Sequence, residues 1–142
     1  MNVSKILEHK GSDIISLEVG CSVLEVAKLL GTRRIGAIPI MSKGELAGII
    51  SERDVMRGLA IKGGDVLRDT VDTLMTKSVF TCTMTDTIQH LMAIMTERRI
   101  RHIPVLEGKK LVAMISIGDV VKERMQEAQK EADALKEYIT SA

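Results

Sequence analysis

The chain carries one segment twice, and this repetition limits its possible folds more than any other feature. Slid along itself by 65 residues, Arg33-Arg34-Ile35 falls on Arg98-Arg99-Ile100 and Ile38-Pro39-Ile40 on Ile103-Pro104-Val105. Ile50-Ser51 and Asp54-Val55 likewise fall on Ile115-Ser116 and Asp119-Val120. No gap is needed from Asp13 to Arg57, and both prolines of the protein occupy equivalent positions. Such self-similarity means that one supersecondary unit is built twice. Upstream, Val3-Ser4-Lys5-Ile6-Leu7 resembles Val71-Asp72-Thr73-Leu74-Met75 at an offset of 68, so the first copy holds three extra residues around Lys10 to Ser12.

Each copy has the same internal order. Ser22 precedes Val23, Val26, Ala27 and Leu30, an i, i+3, i+4, i+7 stripe that marks one buried helix face. Glu25, three residues after Ser22, completes a capping box. Thr87 stands before Ile88, Leu91, Met92 and Met95 at the same spacings, but His90 replaces the capping glutamate, which weakens that cap. A short strand (Ile38 to Met41; Ile103 to Leu106), a polar turn containing Gly44 or Gly108, and a second strand (Leu46 to Ile50; Leu111 to Ile115) follow, as in a hairpin. Ser51 and Ser116 then open another helix as N-caps, with Asp54 and Asp119 at N3. Short strands near Ile14 to Leu17 and Val79 to Cys82 precede the first helices. The fold expected is therefore α+β: two β-α-β-β-α repeats, each too small to bury both faces of its sheet, packed as a pseudo-twofold pair.

The expected organisation is a first repeat over 1–60, a linker over 61–68 made flexible by Lys62-Gly63-Gly64-Asp65, a second repeat over 69–124 and a helical tail over 125–142. In that tail Val121, Met125, Ala128, Ala132, Leu135 and Ile139 form a heptad stripe. Pairing as a coiled coil, docking on its own body and docking on a dimer partner are all open to it, and each makes the tail an interaction element.

Composition excludes several classes. Twenty Lys and Arg balance 19 Asp and Glu, so no overall charge attracts nucleic acid or an anionic membrane. Runs such as Leu91 to Met95 fall far short of the ~20 apolar residues of a membrane span. Residues Met1 to Lys10 lack a secretory leader, which points to the cytoplasm. Cys21 and Cys82 have no partner at metal or redox spacing and are expected as free thiols.

Few residues present themselves for catalysis. The chain has no Cys-x-x-Cys, His-x-x-x-His or Gly-x-Gly-x-x-Gly, and Gly108-Lys109-Lys110 is not a P-loop. Ser116, His102 and Asp119 make a triad only on paper, because capping already accounts for the serine and aspartate. The same Ser-x-x-Asp pairs suit a nucleotide. The serine and the helix N-terminus can hold a phosphate, and the aspartate can accept both ribose hydroxyls. Arg98, Arg99, Arg101 and His102 lie just before the neighbouring strand; Arg98 and Arg99 also suit a solvated helix end. Arg101 and His102 correspond to Gly36 and Ala37, so two clefts would bind unequally. With two aromatic residues in the chain, Phe80 and Tyr138, a base slot would be aliphatic: Ile103, Ile38, Val79 and Ile14, residues equally suited to the core. Met92, Met95, Met114 and Met125 read as adaptable core.

The residues Arg34-Ile35-Gly36-Ala37-Ile38-Pro39-Ile40 with Gly48-Ile49-Ile50-Ser51-Glu52-Arg53-Asp54, and Arg101-His102-Ile103-Pro104-Val105 with Met114-Ile115-Ser116-Ile117-Gly118-Asp119, resemble the tandem cystathionine-β-synthase-type (CBS) domain pair, the Bateman module. The match runs to about Met125, in a stand-alone, bacterial-type arrangement. Ala113 departs from the glycine seen at Gly48. The resemblance implies a regulatory module without catalysis or metal. Its ligand would be an adenosyl compound: AMP foremost, or ADP, ATP, NAD(H) or S-adenosylmethionine. It also implies a homodimer whose geometry responds to ligand and signals to a separate effector through the C-terminal helix. Carried over, one cleft takes Ile14, Ser16, Gly36, Ala37, Ile38, Pro39, Ser51, Arg53 and Asp54. The other takes Val79, Thr81, Arg101, His102, Ile103, Pro104, Ser116, Ile117, Gly118 and Asp119. The competing expectation is a constitutive protein-interaction module that needs no nucleotide.

Overall fold

Both apolar stripes fold as buried helix faces, and both Ser-x-x-Asp pairs begin helices. A computed structural model describes residues 1–141; Ala142, the last residue of the tail, lies outside the described residues. In chain order the elements are α1 (Val3–Lys10), β1 (Leu17–Glu18), α2 (Val23–Arg33), β2 (Ala37–Ser42), β3 (Glu45–Ser51) and α3 (Glu52–Lys62). They continue with α4 (Ile88–Arg98), β4 (His102–Glu107), β5 (Lys110–Ser116) and α5 (Ile117–Ser141). Val23, Val26 and Leu30 of α2 are buried, as are Ile88, Leu91 and Met95 of α4. Ser22 and Glu25 form the full capping box, whereas at α4 only Thr87 caps, accepting from the His90 amide.

The hairpins turn on two residues each. Lys43 and Gly44 both take positive φ (51° and 80°), the combination whose twist matches a right-handed strand pair. At the second hairpin Gly108 alone does so, at 61°. Each hairpin carries a register shift at the same place, Ile40/Met41 and Val105/Leu106.

The leading strands are shorter than expected. In the first copy β1 is two residues, paired in parallel with Ile40 and Met41 of β2. In the second, the expected Val79 to Cys82 strand reduces to one parallel bridge, Cys82 to Val105. The sheets therefore have three strands and two. Nor is Lys62–Asp65 an unstructured connection: Gly63–Arg68 winds into a 3-10 helix with Val66 buried, and Lys62 pairs with Asp69 at 2.6 Å. Burying a valine in the turn outweighs the freedom of two glycines.

Two apolar cores result, and the chain crosses between them. Val3 and Ile6 of α1 lie in the core of the second copy with Ile88, Leu91, Ile103 and Ile115. Val71 lies in the core of the first copy with Val23, Ile38 and Ile50. Backbone bonds secure both exchanges: the Val3 amide donates to the Asp86 carbonyl at 2.9 Å, and the Val71 amide to the Cys21 carbonyl at 2.7 Å. Each half thus borrows its opening segment from the other.

The tail docks on a face other than its heptad stripe. Val120 and Glu123 are buried, while Val121, Met125, Leu135 and Ile139 are exposed, Met125 by 67%. The buried Glu123 carboxylate meets the His9 ring, and Glu127 lies 3.6 Å from the N-terminal ammonium. Met92 is also exposed, so of the four methionines read as core only Met95 is fully buried. No helix of the described residues is long and apolar enough to cross a membrane.

Candidate functional site

The two halves meet at the ends of their hairpins, and the helix starts face this junction. Register places Ser51 opposite Ala37 and Ser116 opposite His102. Equivalent backbone bonds hold the neighbouring turns: the Glu52 amide donates to Gly36 and the Ile117 amide to Arg101. At α3 the Asp54 carboxylate accepts from the Ser51 amide (2.9 Å) and hydroxyl (3.1 Å), and Ser51 Oγ accepts from the Asp54 amide at 3.2 Å. Ser116 and Asp119 repeat this at 2.8, 2.9 and 3.2 Å. Both pairs are half-buried.

A cleft of about 950 Å³ opens beside the first pair. Gly36, Ala37, Ile49 and Ser51 line one side with Glu52, Arg53, Asp54, Met56 and Arg57 of α3. Thr76, Ser78, Val79 and Phe80 and the run from Arg98 to His102 supply the rest, with Ile117. Five arginines thus stand around two carboxylates. Arg53 donates from Nη1 to the Arg99 carbonyl at 3.1 Å, tying α3 to the turn after α4. That turn is held open by Arg99 in the left-handed region (φ 54°), as Arg34 is at the equivalent place (φ 53°).

Residues expected in both clefts line one cavity. Val79, Arg101, His102 and Ile117, assigned to the second cleft, line the same cavity as Gly36, Ala37, Ser51, Arg53 and Asp54. Ile14, Ser16, Thr81, Ser116 and Asp119 lie outside it, and Gly118 lines a separate apolar groove along α5 with Val121 and Met125. Ile38 and Ile103 have no exposed surface, and Pro39 and Pro104 are buried, so none of the four offers a side chain to a base. The strand period accounts for the two isoleucines, which point inward where each hairpin covers its core.

Phe80 is the residue that sequence reasoning passed over. It is 39% exposed in the cleft, with the Arg98 guanidinium 4.8 Å from its ring centre. Its signal was its rarity, the single phenylalanine of the chain, next to Val79. An arginine on an aromatic face forms a ready surface for a planar ring.

His102 packs across the junction: a Cβ on Gly36 would lie 2.8 Å from its Cε1. Burial, with Lys10 nearby, pushes this imidazole below its ordinary value, with Glu52 and Asp119 opposing. Its ring forms a half-buried wall of the cleft beside Gly36. Burial works against ionisation of Asp119, but the Lys10 ammonium and the Ser116 amide and hydroxyl outweigh it and hold the carboxyl below its usual range. Burial pushes the Cys82 thiol up to about 12, so it is unreactive near neutrality. No cluster of potential metal ligands occurs among the described residues.

The CBS domain model matches residues 4–61 and 71–126. A relative from Arabidopsis thaliana, the CBS domain-containing protein CBSX3, mitochondrial, is 33% identical over 96% of this chain and 71% of its own. The crystal structure of the CBS-domain containing protein ATU1752 from Agrobacterium tumefaciens superposes with a TM-score of 0.85 at 39% identity, covering 87% of this chain and 99% of that one. The CBS domain pair of protein MJ0100, solved with 5′-methylthioadenosine and S-adenosyl-L-methionine, gives 0.79 at 25% identity, covering 89% and 98%. With its duplicated hairpins, paired helix starts and family match over nearly the whole chain, this protein belongs to the CBS-domain family as a tandem pair.

Proposed function

We propose that this CBS pair is a regulatory sensor that binds a phosphorylated adenosine compound at the Ser51–Asp54 helix start. The observation that carries this reading is the Asp54 carboxylate beside an arginine-lined cleft large enough for a nucleotide. Asp54 accepts ribose hydroxyls, and Ser51, the α3 N-terminus and the arginines take phosphate. Phe80 with Arg98 flanks the base. The four other arginines, against two carboxylates, favour ADP or ATP over AMP, because a di- or triphosphate neutralises more of that charge. The adenosyl ligands of the MJ0100 pair, which carry no phosphate, support the adenosine half of this reading. Binding alters the junction between halves and is read out by a homodimer or by an effector on α5, in a reducing, cytoplasm-like compartment where Cys21 and Cys82 stay thiols.

Thermal unfolding against AMP, ADP, ATP, NAD, NADH and S-adenosylmethionine tests this. A ligand at 100 times its Kd stabilises by about 2.7 kcal/mol. Asp54→Ala is expected to weaken binding at least about tenfold by removing a charged acceptor. No shift with any of the six rejects the reading. The second reading, a constitutive interaction module, is favoured by the apolar stripe exposed along α5. It requires partner binding by α5 that is indifferent to nucleotide.

A further inference from the structure

Helix α5 outruns the domain it belongs to. The family match ends at residue 126, yet the helix continues to Ser141, and every described side chain from Ala128 onward is exposed. A helical segment this short is marginal in water when nothing packs on it. Leu135 and Ile139 are 60% and 65% exposed, on the line that Val121 and Met125 begin. At its base this line runs along a groove of about 780 Å³, with Arg101, Ile117 and Lys122 among its walls. Val120, Glu123 and Glu127, which dock on the body, lie about a third of a turn round the helix from the line, so the chain's own body leaves it open to approach.

The charges beside the stripe identify what covers it. With Met125, Ala132 and Ile139 at heptad position a and Val121, Ala128 and Leu135 at d, Lys122, Gln129 and Lys136 fall at e, and Arg124, Glu131 and Tyr138 at g. In a parallel pair of these helices each g residue meets the e residue five positions on in the other chain. Glu131 then meets Lys136, twice by symmetry, and Arg124 meets the neutral Gln129. In an antiparallel pair of full overlap, e faces e and g faces g, so Lys122 meets Lys136 at both ends and Glu131 meets Glu131. Glu131 and Lys136 form no ion pair within their own chain among the described residues, so both are available to a second helix. Ile139 at a with Leu135 at d is also the combination that favours two parallel strands.

We infer that the α5 stripe seats a second copy of this chain, the two tails pairing in parallel from Val121 to Ile139 as a short coiled coil that holds both bodies at the same end. The pairing uses residues beyond the family match and none of the nucleotide cleft, so it stands whether or not a nucleotide binds.

Sedimentation velocity of the full chain tests it. Wild type is expected to run as a dimer and Leu135→Lys/Ile139→Lys as a monomer whose urea midpoint is unchanged, since both positions are exposed. Lys136→Glu is expected to weaken the dimer about fivefold by setting like charges against Glu131, and Glu131→Lys/Lys136→Glu to restore it. An antiparallel pair would instead be tightened by Lys136→Glu, which gives Lys122 an opposite charge. Oxidation of Ile139→Cys, in a Cys21→Ser background, is expected to cross-link the two chains, whereas the antiparallel arrangement holds those positions about 27 Å apart. A monomeric wild type, which leaves the stripe to a different protein, would overturn the inference. So would an unchanged mass in Leu135→Lys/Ile139→Lys, a dimer tightened by Lys136→Glu, or the absence of that cross-link.

Discussion

At the scale of single residues, the two copies differ where the chain crosses between them. Gly48 admits the Thr76 backbone, with which Ile49 exchanges amide–carbonyl bonds of 2.9 and 2.8 Å. Gly48→Ala puts a methyl 2.8 Å from that carbonyl and from the Met75 sulfur, and a backbone atom cannot step aside as a side-chain end can. We expect a loss of about 2 kcal/mol, in the range of forced overpacking, read as a lower urea midpoint. Ala113→Gly, in the equivalent strand, is expected to cost about 1 kcal/mol from strand entropy. The Gly36 position is equally specific, because the His102 ring takes the space its side chain would fill. Residue types at these sites were legible in sequence as a departure from symmetry. The neighbour that required each was not.

At the scale of elements, caps and stripes behave as local chemistry dictates. Ser22, Ser51, Thr87 and Ser116 all take the amide three residues on, because that pairing needs only a turn of helix. Helix α5 shows where periodicity stops being informative. Its heptad stripe is real, yet the face that docks is Val120, Glu123 and Glu127, since His9 of α1 and the N-terminal ammonium lie there to meet it. Every described side chain from Ala128 to Ser141 is exposed. Ending the chain after Gln129 is therefore expected to leave the urea midpoint unchanged to within about 0.5 kcal/mol. If the stripe holds a second copy, sedimentation velocity will show a loss of mass in the truncated protein at the same concentration.

At the scale of the whole molecule, the reciprocal exchange of opening segments makes two small cores interdependent. Ile6 is fully buried against residues from 82 to 120, more than 70 positions away in sequence. Ile6→Ala is expected to cost about 3 kcal/mol, as cavity formation in a packed core does. Both halves should still unfold in one transition, visible as coincident urea curves from far-UV circular dichroism and from amide exchange in α2. Two separated transitions would show that the cores fold independently. The sequence by itself determined the duplicated unit, its helices and caps, the hairpins, and the Ser-x-x-Asp pairs at the helix starts. These follow from periods of 2.0 and 3.6 and from hydrogen bonds spanning three residues, all carried by neighbours in the chain. Only the tertiary structure decided that α1 crosses to the other half, that Phe80 and five arginines from both copies share one cleft with Asp54, and that Lys10 reaches Asp119. Such contacts join residues as far apart as 10 and 119, and depend on which surfaces of two similar units pack together, a choice that no local spacing encodes.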